Sequence, residues 1–335
     1  MYFRHKLIHA TLALLAVLAA ARPAIAEDCT NSAVGYRVLH RGERVIAVWY
    51  PTAAPATSYA YSANFSGTVA LDAPPSPVCG KPVPPVVFSH GDLGCGLQSI
   101  AFTEELARHG YVVAAPDHAD ALLCHIVPAS GPPPHRPAQP NFLKPESWSD
   151  ATFRNRRDDI EATIDALLAD SDFQAVIDPQ SIGAAGHSLG GYTVVGMAGG
   201  WPGWANPRIR AVLALSPYVM PFQVKKTLGS IHVPLMYQGG TLDIGITPFL
   251  QGGNGAFHNA NPPAFFVELK RAGHLAWVNC GDAHTTASCL ATKTNPRLID
   301  QYGIAFFNAY LKHRPAPILS EKNPELADFQ FKLSE

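Results

Sequence analysis

The chain has 335 residues, of which 47% are hydrophobic and 15% charged, and its formal net charge is −1. That is enough apolar material for one large α/β domain with generous loops, and nothing in it asks for a second. The near-neutral balance, with no basic stripe carrying interleaved aromatics, excludes a nucleic-acid protein and offers an anionic membrane nothing to attract. No heptad, internal repeat or low-complexity tract competes with a globular core.

The N-terminus carries Arg4, His5 and Lys6, then an apolar run from Leu7 to Ala21, then the small-x-small string Ala24-Ile25-Ala26. This pattern predicts a signal peptide over residues 1–26, a mature chain from Glu27, and export to the periplasm or beyond the cell. The run is short for a bilayer span and Arg22-Pro23 interrupts its end, so no stable membrane insertion is expected. Cys29 follows the acidic pair Glu27-Asp28, which does not fit a lipid-anchoring site. Removal of the segment takes away Arg4, Lys6 and Arg22 and no carboxylate, which moves the net charge from −1 to −4. All six cysteines lie beyond the cut. An even number in an exported chain reads as disulfides, and proximity suggests Cys280 with Cys289, Cys95 with Cys124, and Cys29 with Cys79.

From Val34 to Pro51, the stretches VGYRVLH and RVIAVWYP flank Arg41-Gly42-Glu43 and read as an antiparallel pair on a tight turn. A polar, Pro-rich passage runs to about Pro85. The strand PVVFSH, the helix QSIAFTEELARHG ended by Gly110, and the strand YVVAAPDH follow. Residues 126–150 read as a long surface loop, and TFRNRRDDIEATIDALLAD has apolar positions at helical spacing. The strands SIGAAGHS, RAVLALSP, HVPLMYQG and AFFVELK come next, and the amphipathic helix RLIDQYGIAFFNAYLKH closes the pattern. Apolar strands interleaved with helices predict an α/β fold with about eight strands, mostly parallel and covered on both faces, over a single domain 27–335.

Gly186-His187-Ser188-Leu189-Gly190 falls where a strand runs into a helix. A nucleophile elbow needs that setting, because its flanking glycines relieve clashes at a tight turn that exposes Oγ at the carboxyl edge of the sheet. A serine hydroxyl attacks only if a base takes its proton, so an acid and then a histidine should follow, each just beyond a strand. Asp243 follows HVPLMYQG and His274 follows AFFVELK, in the order this chemistry uses. His274 is then the general base and acid, and Asp243 fixes its tautomer. Asp120 and Asp282 are rival acids. His90, His187, His258 and His284 are structural or solvated histidines on this reading. The oxyanion donors are the N–H of Leu189 and one from the loop His90-Gly91-Asp92-Leu93-Gly94-Cys95-Gly96, Asp92 being preferred and Leu93 the alternative. No HExxH or paired-ligand spacing groups the 14 histidines, so no metal or cofactor is implied.

With these residues in place, AVWYPT, FSHGDLG, RHGYVVAAPDHAD, GHSLGGY and AGHLAW resemble the bacterial α/β-hydrolases grouped with platelet-activating-factor acetylhydrolase and dienelactone-hydrolase-like proteins. The resemblance spans Val45 to Trp277. It implies the α/β-hydrolase fold and a carboxylic-ester hydrolase acting on a small-molecule or lipid-like ester, with Ser188, Asp243, His274, Asp92 and Leu189 in the roles above. Relatives place an apolar residue where this chain has Asp92. The dienelactone-type enzymes use a cysteine where this elbow has Ser188, so lactone chemistry is not implied.

An amidase or peptidase on the same triad and a non-catalytic binding protein are the competing readings. The loops at about 118–150 and 244–263 are Pro-, Gly- and Asn-rich and lack the amphipathic helices of a lid, which predicts an open cleft for short or medium acyl esters. Trp201, Trp204, Tyr218, Phe249 and Trp277 either line an acyl pocket or pack under loops.

Overall fold

The structure, a computed structural model, describes residues 32–42, 44–122, 140–279, 284–292 and 294–333. The predicted signal segment, Cys29, Cys124, Cys280 and Asp282 lie outside the described residues. In chain order the elements are β1 (Ala33–Arg41), β2 (Arg44–Thr52), β3 (Thr57–Ser62), β4 (Phe65–Leu71), β5 (Pro85–Ser89), α1 (Ile100–Arg108), β6 (Val112–Pro116), α2 (Arg154–Ala169), α3 (Ser171–Gln174), β7 (Ile182–His187) and α4 (Leu189–Val195). Then follow β8 (Ile209–Leu215), α5 (Met220–Lys225), β9 (Leu235–Gly240), α6 (Thr247–Gln251), α7 (Ala256–Asn259), β10 (Ala264–Leu269), α8 (Thr286–Thr292), α9 (Thr294–Leu311) and β11 (Leu326–Lys332).

One sheet contains eleven strands in the order β11-β10-β9-β8-β7-β5-β6-β2-β1-β4-β3. β6, β5, β7, β8, β9 and β10 are mutually parallel neighbours, while β2 joins β6 antiparallel and β1 joins β2 antiparallel. The strand count therefore exceeds the eight expected. The additions are β3 and β4, hidden in a passage whose mean polarity reads as loop, and the last strand β11, antiparallel to β10. Tyr59 and Tyr61 on β3 and Phe65 and Val69 on β4 fall at even spacing on the more buried face, and that period of two was the available signal.

The parallel strands are buried along their length, apart from Arg210 near the start of β8, because both faces are covered. Alternate residues serve opposite layers. Phe88, Ala185, Leu213, Met236 and Phe265 meet Phe102 and Leu106 of α1 and Leu298, Tyr302 and Phe306 of α9. Their neighbours Val87, Ala184, Val212, Tyr237 and Phe266 meet Ile160 and Ile164 of α2 and Tyr192 and Val195 of α4. This is the α/β-hydrolase fold. Among the described residues no helix is long and apolar enough to cross a membrane, and no group of three or more His, Cys, Asp or Glu could hold a metal ion. Cys79, Cys95 and Cys289, the described cysteines, are not free thiols; the partners expected for them are not described, so the pairing remains a proposal.

The close approach of α4 to β5 fixes the centre of the sheet. A Cβ on Gly190 would lie 1.9 Å from the carbonyl oxygen of Ser89 and 2.6 Å from that of His90. Both are backbone atoms that cannot swing aside. We expect Gly190→Ala to destabilise the protein by at least about 2 kcal/mol in urea unfolding, while Gly245→Ala, which meets nothing within 4 Å, stays within about 0.5 kcal/mol of the parent.

Candidate active site

The carboxyl ends of the parallel strands deliver the predicted residues to one place. Ser188 follows β7 immediately, Asp243 lies three residues beyond β9, and His274 lies five beyond β10. His274 Nε2 is 2.9 Å from Ser188 Oγ, and His274 Nδ1 is 3.1 Å from Asp243 Oδ2. The Asp243 carboxylate is buried, whereas the His274 ring is partly open to solvent. The two loops are stitched together: the Leu242 N–H donates to the Ala272 carbonyl at 2.9 Å, and the Thr241 N–H to that of Leu269 at 3.1 Å. Ser188 has φ 55° and ψ −115°, a strained conformation for a side-chain-bearing residue, and it presents Oγ at the tip of the turn.

Ser216 was not anticipated from the sequence. It follows β8 directly, with φ 44°, and its N–H donates to the Gln238 carbonyl at 2.8 Å. Its hydroxyl donates to Asp243 Oδ2 and lies 2.9 Å from His274 Nδ1. With its single hydrogen committed to the carboxylate, Ser216 Oγ can only accept from Nδ1–H. Asp243 and Ser216 together therefore hold the tautomer that leaves Nε2 able to take a proton. Its place at a strand end just before Pro217 was the only signal in the sequence.

The loop after β5 runs beside the elbow. A Cβ on Gly91 would lie 3.4 Å from Ser188 Cβ. The N–H of Gly91 donates to Gln98 Oε1 at 2.9 Å and that of Leu93 to Asp120 Oδ2 at 3.3 Å. Leu93, held at φ 62°, is thus committed to Asp120, which favours Asp92 over it as oxyanion donor. Leu189, the other proposed donor, opens α4 next to Ser188.

His187 points away from Ser188 Oγ and ties three loops together. Gln98 Oε1 accepts from Gly91, so its amide nitrogen donates to His187 Nδ1 at 3.1 Å. His187 Nε2–H must then donate to the His274 carbonyl, 2.8 Å away. The ring is neutral: burial, assisted by the neighbouring His274, lowers its pKa to about 3. Gln98 was missed because a glutamine at a helix start carries no catalytic signature.

The rivals go elsewhere. Asp120 is ion-paired with Arg156, away from His274, and Asp282 is not described. His90 is buried and donates through Nδ1 to the Gly91 carbonyl at 2.7 Å, and His258 and His284 lie at the exposed periphery. A second Ser-His-Asp line exists. Ser89 Oγ is 2.9 Å from His118 Nε2, and His118 Nδ1 is 2.9 Å from Asp159 Oδ2, but Ser89 has no exposed surface for a substrate to reach. Trp201, Trp204, Tyr218 and Trp277 are buried, and their polar atoms bond to Tyr192, Asp150, Phe142 and Gln238, so they pack rather than line an open cleft. Phe249 alone of the five is exposed.

No family model matches the chain. Over 159 residues it is 26% identical to Lipase 1 of Moraxella sp. (strain TA144), an alignment covering 48% of this chain and 42% of that relative, less than half of its length. The ferulic acid esterase of Streptomyces cinnamoneus superposes with a TM-score of 0.62 at 20% identity, over 93% of this chain and 98% of that one. This likeness carries the fold.

His187 makes stability depend on pH. Its folded pKa of about 3 lies below the ordinary 6.5, so between those values the unfolded chain binds a proton that the folded chain refuses. Stability from this residue is complete above about pH 6.5 and is lost on acidification towards pH 3, at about 1.4 kcal/mol per pH unit. Urea unfolding across this range should show a slope about one proton shallower for His187→Gln than for the parent; equal slopes would contradict the neutral bridge.

Proposed function

We propose that the chain is a serine-dependent carboxylic-ester hydrolase. The observation that carries this reading is the unbroken line of hydrogen bonds from buried Asp243 through His274 to Ser188 Oγ on a strained turn. The Moraxella lipase alignment and the fold of the Streptomyces ferulic acid esterase support the same class, and the motifs shared with platelet-activating-factor acetylhydrolase-like enzymes are consistent with it.

Ser188 Oγ attacks the ester carbonyl carbon as His274 Nε2 takes its proton. The Asp243 carboxylate and Ser216 hold the imidazolium that results. The oxyanion forms opposite the N–H groups of Leu189 and Asp92. The C–O bond to the alcohol then breaks, the alcohol leaves with the proton from His274, and an acyl-enzyme remains. Water, deprotonated by His274, attacks that acyl carbon; Ser188 Oγ leaves, regains its hydrogen, and the acid is released. The imidazolium that forms beside the buried Asp243 carboxylate is attracted more strongly than it would be in bulk water, while the His274 ring stays reachable from solvent.

The substrate reading is a small ester of short or medium acyl length. Leu242 and Ile244 flank the acid and Leu275 follows the histidine, and these residues are 62%, 81% and 70% exposed. They give the mouth of the site an apolar rim. The only helices in the 244–263 segment, α6 and α7, bury Leu250, Ala256 and Phe257 in the core instead of folding over the site. Export as a soluble protein belongs to the same proposal.

Ser188→Ala and His274→Ala should each lower kcat/KM on p-nitrophenyl butyrate by about 10⁴-fold or more with folding intact, and a fluorophosphonate should label Ser188. Asp243→Asn should cost about 10³-fold or more, while Asp282→Asn should be near wild type; the reverse pattern reassigns the acid. On acetate, butyrate, octanoate and palmitate esters at matched solubility, kcat/KM should change gradually and fall by palmitate. A jump in activity at an oil interface would contradict the open cleft.

A further inference from the structure

Two successive carbonyls in the loop beside Ser188 are held by a single guanidinium. Arg156, on the inner face of α2, has no exposed surface. Its Nη1 donates to the His90 carbonyl at 2.6 Å and its Nη2 to the Gly91 carbonyl at 3.0 Å. The same fork closes on Asp120, Nε to Oδ1 at 3.1 Å and Nη2 to Oδ2 at 2.7 Å, and Asp120 takes the Leu93 N–H. Nη1 also reaches Ser89 Oγ at 3.5 Å, so each nitrogen of the group has an acceptor.

The peptide unit is planar and trans, so its carbonyl and N–H point in opposite directions. The Gly91 carbonyl belongs to the same plane as the Asp92 N–H. Whatever grips that carbonyl from the α2 side turns the Asp92 N–H away from α2. His90 Nδ1–H supports the same carbonyl, and Gln98 holds the N–H of the preceding plane, so the loop is restrained at three consecutive peptides.

We propose that Arg156, braced by Asp120, is a positioning residue for the oxyanion hole: it sets the direction of the Asp92 N–H by holding the carbonyl of that peptide. This rests on the reading of Ser188 as the nucleophile. It also gives a reason for burying an ion pair at all, since an equally large apolar pair is often no less stable. A lysine cannot replace it, since an ammonium lacks the planar fork that reaches two carbonyls and a carboxylate together. Burial alone would raise the Asp120 carboxyl, yet the Arg156 guanidinium overrides it and holds the group at about 2, so the brace stays charged through the neutral range.

The test uses Arg156→Lys and the near-isosteric Asp120→Asn, each checked for folding by circular dichroism and urea unfolding. Both should lower kcat on p-nitrophenyl butyrate by about 10- to 100-fold with KM within about 3-fold, because the donor acts on the transition state. The inhibition constant of a trifluoromethyl ketone, which forms the tetrahedral adduct on Ser188, should rise by the same factor as kcat/KM falls. A folded variant of either kind with wild-type kcat, or with lowered kcat and unchanged ketone affinity, overturns the proposal. Loss of folding in one variant leaves the other to decide, and loss in both makes Arg156 a requirement of the fold and overturns a specific positioning role. A wild-type chain that neither hydrolyses the ester nor reacts with a fluorophosphonate fails at Ser188 itself, which is a different result.

Discussion

Everything at the carboxyl edge of the sheet depends on how closely the turn after β7 can approach the end of β5. With no side chain on Gly190, α4 starts against the carbonyls of Ser89 and His90, and a Cβ on Gly186 would lie 2.4 Å from the Gly190 carbonyl oxygen. The chain between these glycines has little room to relax, so Ser188 is driven to positive φ. The strain is paid for by the surrounding layers, which bury their apolar residues on both sides of β7. The same approach brings the loop after β5 alongside Ser188, so one steric constraint places the proposed nucleophile and the proposed oxyanion donor together.

Behind that edge lies a polar layer unusual for its depth. His90, His118 and His187 are all pushed towards neutrality by burial, the first two reinforced by the positive charge of Arg156 and the third by His274. Neutral rings offer one donor and one acceptor each, which suits them to bridge loops whose backbone groups need both. His118 joins Ser89 on β5 to Asp159 on α2, and Asp159 also accepts from Arg44 at the start of β2. Loops that would otherwise be soft are thereby referenced to three separate elements of the scaffold, β5, α2 and β2. In a low-dielectric interior such a network is favourable only when nearly every member is satisfied, and its failure would be felt as a misplaced loop before it was felt as an unfolded protein.

Much of this architecture was legible in the sequence. The runs PVVFSH, SIGAAGHS and AFFVELK are apolar without alternation because both their faces are covered, and such runs read directly as parallel strands. Ser188, Asp243 and His274 stood out as candidates because each lies at or just beyond the carboxyl end of such a strand, β7, β9 and β10 in turn. β3 and β4 were not, since Pro and Ser around them mask a short alternation, and β11 was lost beyond a helix that looked final. Ser216, Gln98 and Arg156 were invisible for a different reason. A hydroxyl, an amide and a guanidinium acquire meaning only from the distances that folding creates, and no spacing rule links Arg156 to carbonyls 65 and 66 positions away. Asp120 could be suspected of chemistry from its place after β6, but only the fold reveals that its partner is Arg156.

β11 has a bearing on how copies of this protein behave towards one another. β10 reads AFFVEL and is buried throughout. Left as the border of the sheet, its unpaired backbone groups and two adjacent phenylalanines would recruit another chain. β11 occupies that border and presents a different one. Along it Asp328, Gln330 and Lys332 share a face, with the Lys332 ammonium donating to the carbonyls of Phe257, His258 and Ala260 at 3.0, 2.7 and 3.1 Å. A border strand that carries Asp328 and Lys332 is a poorer template for strand addition than an uncharged one. The last described strand thus takes the place at the border that an apolar, fully buried strand would otherwise hold, and gives that border two charged side chains.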